Sequence, residues 1–194
     1  MGDAFDPRET VRRALLAGAG LLLVLAACSG SMSADEYVAG LNDLIATTAP
    51  DLVESTAAYE QIEDPTMEDW AAFVEREIAI RRVFGDGFDA LDPPDAVTDV
   101  HRLMGDGLDR GLVATEALEV IANTASSPEE AQRTPEFAEY RAANADGASR
   151  VCQEAVAKLD ELAASGEAFA DQPWVSNLAV TVRAAFGCIE ETNE

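Results

Sequence analysis

Glu77 and Arg81 stand four residues apart, acid before base, the order in which a helix brings a carboxylate and a guanidinium into contact. A helical wheel centred on Trp70, Phe73, Phe84 and Phe88 puts both inside an apolar stripe. Buried, the pair fixes helix register or lines a cavity. The simpler expectation is that the helix rolls until both charges reach the rim, with the arginine stem lying over apolar neighbours. His101 is the single histidine. It falls beside Val97, Met104 and Leu108, where a histidine is more often a packed residue with one hydrogen bond than a ligand or proton switch. Glu77, Arg81 and His101 are the candidate ligand-binding residues. Asp86, Asp89 and Asp92 could collect a hard cation, yet they lack the alternating order of a calcium loop. The chain has no G-x-S-x-G, H-E-x-x-H or phosphate-loop pattern. We therefore expect no enzyme, no catalytic residue, no metal ligand and no cofactor.

The first 27 residues have another kind of chemistry. A basic stretch ends at Arg13, an apolar stretch runs from Ala14 to Ala27, and small residues precede Cys28. That order is a secretory signal, and the apolar part is shorter than the about 20 residues a spanning helix needs. Leu25-Ala26-Ala27-Cys28 resembles a bacterial lipobox. The resemblance implies cleavage before Cys28 and a diacylglycerol thioether on its sulfur, and two acyl chains anchor where one does so only reversibly. The alternative is an ordinary cysteine after a signal-peptidase site. On the lipobox reading, residues 1–27 are signal peptide, 28–33 are the lipidated cysteine and a short tether, and 34–194 are a folded domain on the extracytoplasmic face of the cell membrane. The membrane is then the first partner.

The formal charge of −24, from 37 acidic against 13 basic side chains, argues against nucleic acid as a partner. It leaves an envelope protein or a cation as a possible partner, and a solvated acidic surface as the plainer reading. With Cys28 assigned to lipid, Cys152 and Cys188 are left in an oxidising compartment, where we expect a disulfide; two buried thiols are the alternative.

These residues must be carried by helices, because no segment shows sustained period-two alternation of β-branched residues. Ser33 and Glu36 have capping-box spacing, and Tyr37, Leu41, Leu44, Ile45, Thr48, Leu52 and Tyr59 recur at helical spacing behind them. Pro50 predicts a kink, or a restart capped by Thr48. A second helix through Trp70 and Phe88 stops at Pro93-Pro94, and a third runs from Val97 to Leu118. The stretch 124–135 reads as loop. A fourth helix opens at Pro135 behind Thr134, with Asp146-Gly147 as a break, and Trp174–Ile189 is a shorter last one. The expected fold is all-α: an up-and-down bundle of about four longer helices plus a C-terminal helix tied by the disulfide.

Phe88-Asp89-Ala90-Leu91-Asp92-Pro93-Pro94, followed by His101, resembles a helical lipoprotein type of high-GC Gram-positive bacteria in which a helix ends in an L-x-P-P turn and a histidine follows on the next. The resemblance extends to the lipobox and the late cysteine pair. It implies architecture and address, and supplies no active-site residues. The expectation is a membrane-anchored, non-enzymatic interaction or accessory module of the cell envelope; the alternative is a small-ligand or cation binding lipoprotein.

Overall fold

A computed structural model of the chain describes residues 31–186 apart from 167, 168, 170 and 171. The proposed signal segment, Cys28 and Cys188 lie outside the described residues. Helix α1 spans Ala34–Glu60, α2 Met67–Asp89, α3 Thr98–Ala122, α4 Pro128–Ala131, α5 Pro135–Arg141, α6 Ala148–Ala164 and α7 Pro173–Phe186. A 3₁₀ turn at Asp95–Val97 precedes α3, and a π-helical segment at Ala142–Gly147 joins α5 to α6. The described residues are all-helical and pack as a bundle, and no helix among them is long and apolar enough to cross a membrane.

Local chemistry sets the helix starts. Ser33 Oγ accepts from the Glu36 N–H, and the Glu36 carboxylate accepts from the Ser33 N–H, closing the expected capping box. Thr66 and Asp69 repeat this arrangement at the start of α2. Thr134 Oγ1 accepts from the Phe137 N–H at the head of α5, with Pro135 in the first turn as expected.

At Pro50 and at Asp146-Gly147 the chain stays helical. Helix α1 does not restart at Pro50; Pro50 sits within it, and Thr48 donates its hydroxyl back to the Leu44 carbonyl instead of capping a new helix. Pro50 lacks the N–H that would bond the Ala46 carbonyl, but both residues are exposed, so water can take that carbonyl. At Asp146-Gly147 the chain stays helical through the π segment, which absorbs extra residues without ending the rod. The loop read at 124–135 holds α4, whose Pro128 and Ala131 are buried.

The described residues from Met32 onward form one unit. Helix α2 packs on α1 and α3, α6 on α3 and α7, and α7 also on α1. Two apolar clusters lie along the bundle. One joins Tyr37, Leu41, Phe88, Met104, Leu159 and Leu178; the other joins Trp70, Val74, Ile78, Leu118 and Ile121 under α4. Glycines set one close approach. A Cβ on Gly107 would stand 2.8 Å from Val151 Cγ2, whereas a Cβ on Gly85 would meet nothing within 4 Å. Gly85→Ala should therefore stabilise by about 0.5–1 kcal/mol through helix propensity. Gly107→Ala should be a net loss, because buried Val151 must move. Urea denaturation of both variants checks the opposite signs, and two changes of the same sign would refute the close-approach account.

Candidate functional site

Between Leu52 on α1 and Phe84 on α2 a cavity of about 280 Å³ opens. Ile45 and Leu52 of α1, Ile80 and Phe84 of α2, Leu108 and Leu112 of α3, and Phe186 of α7 supply an apolar lining. Arg81, Asn144 and Thr48 add polar groups. Small residues make the room: Gly85, Gly107, Gly111, Ala143 and Ala148 all stand at the wall.

Arg81 is held by Glu77. Its Nη2 lies 3.6 Å from Glu77 Oε2, with the arginine side chain 25% exposed and the glutamate 3%. The expected roll to the rim does not occur for Glu77. Glu77 follows Trp70 by seven residues, so the face that carries the buried indole into the core carries the carboxylate in with it. Leu41, Thr48 and Ser55 on α1 keep the same seven-residue step and are all buried. The Ser55 hydroxyl thus comes to the Glu77 carboxyl.

Burial pushes the Glu77 carboxyl above its ordinary range, opposed by the Arg81 guanidinium and the Ser55 hydroxyl. From α5, Tyr140 joins the group; burial raises its phenol, with Arg81 opposing and Glu77 adding to the rise. Asn144 donates to the Tyr140 carbonyl, and its Oδ1 stands at the Gly111 wall of α3. Ser55 Oγ, Glu77 Oε1 and Arg81 Nε are buried and form no hydrogen bond of good geometry among the described residues, so the Ser55 hydroxyl is near the Glu77 carboxyl without a well-formed bond to it. Native interiors leave few such groups, so each one asks for an explanation.

His101 belongs to a different place. Its ring stacks on Phe88, with centroids 4.2 Å apart and planes 7° off parallel, and its Nδ1 is 2.9 Å from the Tyr37 hydroxyl. Burial lowers its pKa, with Asp89 opposing. This is the packed histidine the sequence suggested. Glu77 and Phe88 are eleven residues apart on one helix, about 16 Å, so His101 is not brought to the Glu77–Arg81 group.

Asp86, Asp89 and Asp92 are exposed, and among the described residues no three histidine, cysteine or acidic side chains gather as a metal site. Cys152 is fully buried on α6, its Sγ 3.7 Å from the Val182 carbonyl oxygen of α7.

Sequence reasoning found Glu77 and Arg81 but missed Ser55, Asn144 and Tyr140. The seven-residue step from Leu41 could have found Ser55. Asn144 lies in the π segment just before the Asp146-Gly147 pair that read as a break, with its Oδ1 near Gly111 of α3. Comparison of the chain with protein-family models, with curated proteins and with solved structures finds no match.

Proposed function

We propose that the chain is a lipid-anchored extracytoplasmic lipoprotein whose helical domain binds one small, largely apolar ligand between its helices. The observation that carries the binding part is the cavity of about 280 Å³, apolar over most of its wall and lined at one end by Arg81, the partner of buried Glu77. The order of basic, apolar and small residues before Cys28 supports the anchor. An accessory role in the envelope is compatible with this reading, the ligand being what the module senses or carries. The three exposed aspartates contribute nothing to this cavity.

In this reading α1, α2, α3 and the rod from α5 to α6 form the up-and-down bundle, and α7 is clamped to α6 by a Cys152–Cys188 disulfide. The buried place of Cys152 against α7 supports the pairing. Reduction should cost on the order of 3–4 kcal/mol through the loop between positions 152 and 188. Urea midpoints with and without a phosphine reductant check this, and a Cys152→Ala/Cys188→Ala variant should be indifferent to it. Two titratable thiols in the unreduced, denatured chain would exclude the bridge.

The function is tested on the chain from Ser29 onward, exported to an oxidising compartment and weighed by native mass spectrometry before and after mild denaturation. A small molecule that leaves on denaturation is the expected result. A bare chain whose melting temperature no apolar probe raises would refute the binding reading. Fractionation of the full chain tests the anchor: Cys28→Ser should move the protein from the membrane to the soluble extracytoplasmic fraction, and unchanged partition would refute lipidation there.

A further inference from the structure

We infer that the cavity takes an uncharged amphiphile bearing one hydrogen-bond acceptor oxygen, a carbonyl above all, which the Arg81 guanidinium receives. This rests on the ligand-binding reading and adds the chemistry of the ligand to it.

Size comes first. An engineered apolar cavity of about 150 Å³ holds benzene, so about 280 Å³ suits a molecule of roughly ten to twelve non-hydrogen atoms. Ile45, Leu52, Phe84, Leu108 and Phe186 line it with hydrocarbon, so most of that molecule is an apolar body.

Charge balance comes second. Arg81 already has its counter-ion in Glu77 at 3.6 Å, and Glu77 is 3% exposed. A ligand carboxylate would bring a second anion beside that buried one, with Asp109 on the same wall and a chain of net charge −24 around them. A ligand ammonium would face the guanidinium directly. Only a neutral head leaves the group balanced.

Donor and acceptor count comes third. A guanidinium carries five N–H donors and no acceptor. Glu77 meets Nη2, while Nε stays buried without an acceptor among the described residues, and Nη1 approaches the Gly111 wall of the cavity. The Asn144 side-chain N–H is committed to the Tyr140 carbonyl. Asn144 Oδ1 and Glu77 Oε1 remain as acceptors, but Glu77 does not line the cavity; the charged donors on the wall are those of Arg81, and the ligand brings the acceptor for them.

The test titrates the chain from Ser29, refolded from urea to empty the cavity, with three matched probes at pH 8, followed by amide chemical shifts. The probes are 2-octanone, its isostere 2-methyl-1-octene with a methylene in place of the oxygen, and octanoate. The ketone should bind about tenfold more tightly than either of the others, with the shifts centred on Arg81, Asn144 and Gly111. In Glu77→Gln/Arg81→Met, which leaves no lone buried charge, the ketone and the alkene should bind alike. Octanoate binding tightest, or alkene equal to ketone in the unsubstituted chain, would overturn the inference while leaving the cavity a binding site. No amide shift with any probe would overturn the binding reading itself.

Discussion

Arg81→Ala lowers the free energy of unfolding by about 3–5 kcal/mol near pH 7, because it leaves the Glu77 carboxylate buried without its counter-ion. The lower end of that range is expected, since the arginine is 25% exposed and water partly screens the pair. The loss depends on pH, and its sign follows from the carboxyl. Burial raises the folded pKa of Glu77 above its unfolded value. An acid shifted that way favours the fold when protonated, so its contribution is full below the ordinary carboxylate range and is lost as pH rises through the raised value. Removing Arg81 takes away the main influence opposing the rise. The deficit of Arg81→Ala against the unsubstituted chain should therefore shrink as pH falls from 7 toward 4. Glu77→Gln/Arg81→Met should cost much less than Arg81→Ala at pH 7, because it buries no lone charge. Urea denaturation across that range measures all three chains. Equal losses for the single and double variants, or a deficit flat in pH, would place Glu77 in water and remove the polar group from the site.

Much of the helical framework was legible because it is written in short-range chemistry. Ser33 with Glu36 and Thr134 with Pro135 announce helix starts through pairings that close within one turn. Where the reading went astray, tertiary context overrode a local signal. Pro50 does not end α1; the Ala46 carbonyl it frees is exposed and can bond water, which lowers the cost of keeping the proline inside the helix. Asp146-Gly147 reads as a break, but the packing of the α5–α6 rod on α3 keeps the chain helical through a π segment.

The site was half legible for a related reason. Glu77 and Arg81 were found by spacing, and the burial of Glu77 was misjudged because the general scarcity of buried charge was given more weight than the seven-residue step from Trp70; Arg81, 25% exposed, does reach the rim. The cavity itself has no sequence signature. It depends on where six helical segments leave space, and on glycines that face either a neighbour, as Gly107 faces Val151, or an opening, as Gly85 does. Composition counts glycines without saying which kind each is. His101 shows the converse: a packed histidine was the plain expectation, and its ring stacks on Phe88 and meets the Tyr37 hydroxyl.

Phe88→Ala should cost about 3–5 kcal/mol, the usual range for a fully buried aromatic ring. The ring lies in the apolar cluster with Tyr37, Leu41, Val97 and Met104, and it is the face on which the His101 imidazole stacks. Its loss has a second, independent readout. Burial is what lowers the His101 pKa, so opening the site to water should bring that pKa back up toward the ordinary histidine value. An NMR titration of the single imidazole follows the change directly. Phe84→Ala is the control one turn away on the same helix. Phe84 is only half-buried and lines the cavity, so its truncation enlarges a space that already exists and should cost less than half as much. It should also leave the His101 titration in place, because Phe84 has no ring contact with it. Two phenylalanines one turn apart would then separate the packed end of the bundle from the binding end. Equal destabilisation by the two variants would mean that the space beside Phe84 is closed in solution, and the cavity would lose its standing as a site.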